Sequence, residues 1–142
     1  MSFSRSQQRI NAHLNAAKAY AQLSYAKRLK VGAVLVKDDR IISVGYNGMP
    51  SGVDNDCEDE IDGQLVTKPG LVHAEMNVIA FAAKNGMSTN QCIMIITHSP
   101  CFECSKLIIQ SGIKKVLYET EYRLTEGLDF LRECGVEVES VS

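Results

Sequence analysis

Two short segments carry side chains that suit metal chemistry. Residues 73–75 (HAE) open an apolar run with helical periodicity, and residues 100–104 (PCFEC) lie between a strand-like run and a second helix-like run. One imidazole and two thiolates suit Zn²⁺, and three protein ligands leave the fourth tetrahedral position open for water, as in catalytic sites. The sequence therefore predicts a catalytic zinc on His73, Cys101 and Cys104.

The predicted helix starts also favour this chemistry. A helix N-terminus stabilises the thiolate form that a metal needs, through its dipole and its free N–H groups. Glu75 follows His73 by two residues, an offset that brings its carboxylate near the metal without making it a ligand. Glu75 is therefore predicted to take a proton from water at the metal and return it to a leaving group.

Two simpler interpretations compete with a catalytic zinc. A structural zinc would need a fourth ligand at motif spacing, and none is evident. A redox CxxC pair would leave the HAE segment unexplained.

Composition restricts the class of protein. The chain has 142 residues, 45% of them hydrophobic, and a net charge of −2, which predicts one domain over 1–142 and disfavours a general nucleic-acid binder. No run is long enough to span a membrane, and residues 1–8 lack an apolar signal core. Cys57, Cys92 and Cys134 are scattered, which fits a reducing compartment, so a cytoplasmic protein is expected.

Periodicity predicts an α-β-β-α-β-α-β-α-β order. The predicted helices cover 5–29, 72–85, 101–111 and 125–134, and the strands cover 30–37, 40–46, 91–97, 113–118 and 136–141. Asp38 and Asp39 form the turn of a first hairpin, and His13 is expected on the helix surface. Helix-linked strands after this hairpin predict a mostly parallel sheet in a three-layer α/β/α fold.

Two loops remain between these elements. Residues 47–52 (NGMPSG) are either an ordinary turn or a segment in which Asn47 presents its amide to a ligand. Residues 53–70 are predicted as an acidic loop, most simply a solvated face; alternatively the loop restricts access to a pocket or holds Mg²⁺ on a nucleotide.

The motifs identify a family. H-x-E with P-C-x-x-C is the signature of zinc nucleobase deaminases. With HAEMNVIAFAAKNG, THSPCFECSKLIIQSGIKKV and GYNGMPSG, the chain over residues 30–122 resembles the cytidine deaminase superfamily and, within it, the deoxycytidylate (dCMP) deaminases. The resemblance implies a cytidine-deaminase-like fold with a five-stranded mixed sheet, one zinc per chain, and hydrolysis of dCMP to dUMP and ammonia, which feeds dTMP synthesis.

The resemblance also implies roles for individual residues. The sugar would meet Asn47, the base O2 the N–H of Ala74, the amine the carbonyl of Ser99, and Tyr122 would stack near the nucleotide. An effector site would include Gly48, Phe81 and Lys84. Such enzymes are commonly activated by dCTP with Mg²⁺, inhibited by dTTP, and hexameric. A phosphate needs cations or helix N-termini, and the candidate cations are Lys27, Arg28, Lys30 and Arg123.

The sequence departs from the family pattern at three places. His98 replaces an apolar residue before Ser-Pro-Cys, and it lies either near the metal or facing outward. The segment between Pro50 and His73 is short, and Cys57 has no nearby Cys or His partner except His73, so a second zinc is not expected. Residues 25–29 (YAKRL) carry two cations in place of small and acidic residues, which points toward tolerance of more than a monophosphate.

Other functions stay open at this point. The substrate could be dCTP, free (deoxy)cytidine or an adenine base in RNA, although GYNGMP and the acidic composition disfavour RNA. From another class, the chain could be a catalytically silent sensor that binds zinc and nucleotide, although a sensor need not keep Glu75.

Overall fold

The computed structural model describes residues 3–141, and the predicted domain bounds of 1–142 extend beyond both ends of this range. Within it the elements are α1 (Arg5–Ala21), β1 (Gly32–Lys37), β2 (Arg40–Tyr46), β3 (Glu58–Ile61), β4 (Gln64–Thr67), α2 (Ala74–Lys84), β5 (Ile93–His98), α3 (Phe102–Gln110), β6 (Lys115–Thr120), α4 (Glu126–Glu133) and β7 (Glu137–Ser140). None of these helices is both long and apolar enough to cross a membrane.

The main sheet has five strands in the order β2-β1-β5-β6-β7, which confirms the predicted five-stranded mixed sheet. Strand β1 pairs antiparallel with β2 and with β5, whereas β5–β6 and β6–β7 are parallel. Four strands therefore run in one direction and β1 runs against them. The prediction of a mostly parallel sheet is therefore right for the direction of the strands. The sequence did not predict that β1 lies between β2 and β5.

The hairpin that sets this order depends on its turn. Asp38 and Asp39 both have left-handed φ values, 49° and 62°, as a two-residue type I′ turn requires. This turn makes β1 and β2 antiparallel neighbours. After the β3–β4 segment, α2 leads the chain to β5, which pairs with the other edge of β1.

Helices cover both faces of the sheet. On one face Leu14 and Ala17 of α1 pack with Val34 and Ile95. On the other, α2, α3 and α4 supply Val78, Ile108 and Leu128 to a larger cluster that contains Ala33, Leu35 and Met94. Full burial of each aliphatic side chain of this size stabilises the fold by roughly 1.5–3 kcal/mol. The three-layer arrangement was predicted from the sequence.

Helix α1 is shorter than predicted, since it ends at Ala21 rather than at residue 29. Ser24 explains the difference. Its buried hydroxyl donates to the carbonyl of Asn47 at 2.7 Å and accepts from the N–H of Ala26 at 3.1 Å. A serine that bonds nearby backbone in this way competes with helix continuation, and the released segment runs toward the site.

The acidic segment is also more ordered than predicted. Residues 58–67 form a two-stranded hairpin, β3–β4, rather than a loop. Asp62 and Gly63 form its turn with φ values of 51° and 76°. An Asp-Gly pair between two short runs is a strong hairpin signal, and the charge of the flanking residues obscured it.

Candidate active site

Two helix N-termini bring the three predicted ligands together. His73 is the N-cap of α2, Cys101 is the N-cap of α3, and Cys104 lies in the first turn of α3. Neither N-cap side chain makes a capping hydrogen bond. The imidazole and the thiols are therefore free to face one another.

The ligand atoms are spaced for a metal ion. His73 Nδ1 lies 3.3 Å from Cys104 Sγ and 3.7 Å from Cys101 Sγ, and all three ligand atoms lie within 4.8 Å of one another. Tetrahedral zinc with usual bond lengths separates its nitrogen and sulfur ligands by about 3.6 Å. The donor set and its spacing therefore fit Zn²⁺. Within residues 3–141, no fourth His, Cys, Asp or Glu joins this set.

These three groups also perturb one another's protonation. Two hydrogen bonds lower the pKa of Cys101 to about 4; the larger effect comes from the bond with Cys104 and the smaller from the bond with His73. The pKa of Cys104 is raised, first because its thiol donates to Cys101 and then by burial. The hydrogen bond with Cys101 raises the pKa of His73. A lowered thiol pKa favours the deprotonated ligand that zinc requires.

Glu75 lies in the first turn of α2 and is only 4% exposed. Burial raises the pKa of its carboxyl to about 7, and this effect outweighs the two hydrogen bonds and the His73 charge that lower it. A carboxyl with a pKa near neutrality can both accept and release a proton under physiological conditions.

Helix α4 supports the metal-binding loop through a close contact. A Cβ on Gly127 would overlap the carbonyl oxygen of Pro100 and would lie 2.8 Å from the carbonyl group of Cys101. Glycine is therefore needed at this position for α4 to pack against the start of α3. This contact fixes the loop that carries Cys101.

A cavity of about 790 Å³ opens over these groups. Its walls include most of the residues predicted to act on a substrate. Of the predicted residues, those lining it are Arg28, Asn47, His73, Ala74, Glu75, Ser99, Cys101, Tyr122 and Arg123. Cys104 is not among the lining residues; it is buried and contacts the lining residue His73.

Asn47 is buried, and its side chain bonds to the protein's own backbone. Its Oδ1 accepts from the N–H of Val31 at 2.9 Å, and its Nδ2 donates to the carbonyl of Leu29 at 2.8 Å. The amide predicted to face a ligand therefore also shapes the cavity wall by fixing residues 29–31.

Ser99 and Tyr122 are linked. The hydroxyl of Ser99 accepts from the N–H of Tyr122 at 2.8 Å, which positions the segment after β6. The ring of Tyr122 lies 6.0 Å from that of His98, centroid to centroid. His98 lines the cavity, which resolves the two orientations considered from the sequence in favour of the inward one.

Several predicted residues lie elsewhere. The side chains of Lys27 and Lys30 are not in the cavity lining, although both residues flank Arg28 and Leu29, which are. Phe81 and Lys84 are exposed on α2, and Gly48 bridges to Val72 through backbone hydrogen bonds. None of these three belongs to the cavity. The His13 side chain is partly exposed on α1, as expected, with 15% of its surface accessible, and it lies 3.1 Å from Asp39.

Sequence reasoning missed one lining residue of consequence, Glu58. The acidic composition of residues 53–70 predicts a solvated side chain here, yet Glu58 is 4% exposed and lines the cavity with Thr67 of the same hairpin. The Asp-Gly turn signal could have identified the hairpin. No local signal distinguishes Glu58 from its exposed neighbours Asp59 and Glu60.

Comparisons with known proteins agree with this site. Residues 7–120 match the family described as the cytidine and deoxycytidylate deaminase zinc-binding region. The deoxycytidylate deaminase of Enterobacteria phage T2 is 39% identical over 79% of this chain and 81% of its own. The Homo sapiens deoxycytidylate deaminase is 39% identical over 71% of this chain and 58% of its own.

A solved structure extends the similarity to the whole fold. The dCMP deaminase from the cyanophage S-TIM5, in complex with dCMP and dUMP, is 44% identical, with a TM-score of 0.88 over 98% of this chain and 99% of that one. A tRNA:A34 deaminase structure at 21% identity and a TM-score of 0.65 shares the fold. The chain therefore belongs to the cytidine and deoxycytidylate deaminase family.

Proposed function

We propose that this protein hydrolyses dCMP to dUMP and ammonia. The observation that carries the proposal is the placement of a His/Cys/Cys ligand set and the buried Glu75 in one cavity that also includes Arg28 and Arg123. A deaminase needs the first two features for chemistry, and a nucleotide monophosphate needs cations for its phosphate. The similarity to deoxycytidylate deaminases supports the same substrate.

His73, Cys101 and Cys104 would hold one zinc per chain. Bound zinc supplies the Lewis acidity that lowers the pKa of water at its open position. Glu75 accepts a proton from the attacking water and delivers it to ring N3 of cytosine. Glu75 then takes a second proton from the hydroxyl now bonded to C4 and passes it to the exocyclic amine. The C4–N bond breaks, ammonia leaves, and the oxygen stays on C4 as the carbonyl of dUMP.

The other cavity residues would bind the nucleotide. The N–H of Ala74 donates to the base O2, and the carbonyl of Ser99 accepts from the amine. Tyr122 stacks near the nucleotide, and Asn47 contacts the sugar and orders the cavity wall. All four line the cavity, which supports these roles.

For the phosphate we propose Arg28 and Arg123 as direct ligands. Both line the cavity, whereas the side chains of Lys27 and Lys30, the other two candidate cations, do not. Lys27 and Lys30 would then contribute only long-range electrostatic attraction for the phosphate.

Regulation is a further part of the proposal. Phe81 and Lys84 are exposed one turn apart on α2 and outside the cavity, which supports an effector site separate from the catalytic one. Gly48 is assigned to the same site by family resemblance. We propose activation there by dCTP with Mg²⁺ and inhibition by dTTP. We also propose a cytoplasmic homo-oligomer, a hexamer by family resemblance, in which residues 1–142 of each chain form one domain.

A substrate panel tests the proposal. Ammonia release is measured on zinc-quantified protein with dCMP, dCTP, cytidine, deoxycytidine and a tRNA anticodon stem. The proposal predicts the highest kcat/KM for dCMP. A higher kcat/KM for dCTP or for a nucleoside would identify that molecule as the preferred substrate. Tight nucleotide binding without turnover would identify a sensor.

A further inference from the structure

Glu58 is a buried carboxylate, and only one of its two oxygens has hydrogen-bond partners among the described residues. Its Oε2 accepts from the backbone N–H groups of Lys27 at 2.9 Å and Arg28 at 3.1 Å. Its Oε1 is buried and has no hydrogen-bond partner among the described residues. The residue is 4% exposed and forms part of the cavity wall.

The neighbouring cation does not compensate for this. Lys68, the basic residue that follows the hairpin, lies 3.8 Å from Asp56 and 3.9 Å from Asp59, so its charge is directed to the exposed carboxylates. The side chain of Arg28 donates to Thr67 at 3.0 Å. A buried acceptor without a donor loses roughly 1–3 kcal/mol of hydration that nothing replaces. Such groups are rare in natural proteins, and a functional role is one of the recognised reasons for keeping one.

The chemistry of the proposed substrate identifies the missing donor. At neutral pH dCMP has two kinds of hydrogen-bond donor, the 4-amino group of cytosine and the 3′-hydroxyl of the sugar. The amino group is the leaving group and must lie beside Glu75 and the metal ligands. The phosphate only accepts from its cations. The 3′-hydroxyl is therefore the donor left for an acceptor elsewhere in the cavity. Asn47, the other residue proposed beside the sugar, already bonds backbone through both polar atoms of its side chain, whereas Glu58 Oε1 has no partner among the described residues.

We infer that Glu58 is a specificity-determining residue whose Oε1 accepts a hydrogen bond from the 3′-hydroxyl of the nucleotide sugar. This inference rests on the proposed function. Because Oε1 has almost no accessible surface, the inference requires the cavity wall to adjust around the bound nucleotide so that the hydroxyl can reach this oxygen. The Oε2 bonds hold the carboxylate to residues 27 and 28 during this adjustment.

A consequence is discrimination against a sugar that lacks this hydroxyl. A 3′-deoxy substrate leaves the buried carboxylate unpaired, and sites built around a buried polar group reject such analogues strongly. For one hydrogen bond to a charged group, kcat/KM should fall by about 10- to 100-fold.

The test compares dCMP with 2′,3′-dideoxycytidine monophosphate. The ratio of their kcat/KM values is measured for the wild type, Glu58→Ala, Glu58→Gln and the control Glu60→Gln, which changes an exposed residue of the same strand outside the cavity. Any general damage to the loop lowers both rates, so the ratio reports only the contact with the hydroxyl.

The wild type and Glu60→Gln should prefer dCMP by about 10- to 100-fold, and Glu58→Ala should bring the ratio close to one. Glu58→Gln can keep an acceptor toward residues 27 and 28, and it should lower the ratio at least about threefold because a neutral partner bonds more weakly. If Glu58→Ala does not fold, the kcat/KM ratio of Glu58→Gln tests the inference instead.

Two outcomes overturn different claims. An unchanged ratio in the folded Glu58 variants, or equal wild-type rates on both substrates, overturns this inference and leaves the proposed function standing. A wild-type protein that does not deaminate dCMP overturns the proposed function and this inference with it.

Discussion

His73 Nδ1 lies 3.3 Å from Cys104 Sγ, although 31 residues separate the two in the chain. The contact joins the first turns of α2 and α3, two helices on the same face of the sheet. A metal held by both residues would therefore connect two helices as well as provide the chemistry. The site and the packing of this layer depend on each other.

Loss of one ligand should remove the metal. We expect Cys101→Ser to lower bound zinc from about one per chain to near zero, because a neutral hydroxyl replaces the thiolate that the ion requires. Metal content is measured by plasma mass spectrometry on purified protein. Cys134→Ser is the control, since Cys134 is exposed and lies outside the ligand set. Full zinc content in Cys101→Ser would rule out this ligand assignment.

The cavity arginines should bind the phosphate. We expect Arg28→Gln and Arg123→Gln each to raise KM for dCMP about tenfold and to leave KM for deoxycytidine nearly unchanged, because only dCMP carries the phosphate. Steady-state kinetics on both substrates check this. Lys30→Gln serves as the control, since Lys30 does not line the cavity. Equal effects on the nucleotide and the nucleoside would remove the arginine concerned from the phosphate site.

Asn47 should contribute to stability as well as to binding. In Asn47→Asp the carboxylate still accepts from Val31 but can no longer donate to the carbonyl of Leu29. Two buried acceptors then face each other, and the free energy of unfolding should fall by about 1–3 kcal/mol. Urea denaturation measures it, with Asn15→Asp on the exposed face of α1 as the control. A raised KM with unchanged stability would mean that Asn47 acts through the ligand alone.

His98 should make stability depend on pH. Burial lowers the pKa of its imidazole, against a smaller opposing effect of the Glu119 charge. The folded protein then binds fewer protons than the unfolded chain at pH values below the ordinary histidine pKa of about 6.5. The free energy of unfolding is therefore highest at a pH where His98 is neutral, and it decreases as the pH falls below about 6.5 and the buried imidazole has to be protonated.

The difference is measured against His98→Gln. Between about pH 7 and pH 5.5, the free energy of unfolding of the wild type should fall more steeply than that of the variant. An NMR titration of the His98 ring should give a pKa below about 6.5. Parallel stability curves together with an ordinary or raised pKa would show that the imidazole is not destabilised by burial.

Sequence patterns predicted the parts of the fold that depend on local chemistry. The α2 and α3 starts followed from the position of His73 and Cys101 before apolar helical runs. The Asp38-Asp39 turn identified the first hairpin. The length of α1 could not be read in this way, because Ser24 ends it through a bond to Asn47, which is distant in sequence.

The cavity wall was harder to predict for the same reason. Glu58 resembles its neighbours in sequence, and its burial results from two backbone N–H groups about 30 residues earlier in the chain. Arg28 reaches the cavity and Lys27 does not, which depends on the path of the segment after α1. Such distinctions arise from tertiary contacts rather than from composition or periodicity.

The central claim is that Glu75 moves protons for a hydrolysis at the His73, Cys101 and Cys104 site. It is tested most directly by dUMP formation from dCMP by the wild type and Glu75→Gln at equal, quantified zinc content. We predict that the wild type turns over and that the variant, with its zinc retained, is slower by about 10²- to 10⁴-fold. A zinc-loaded Glu75→Gln variant that forms dUMP at close to the wild-type rate would contradict the account.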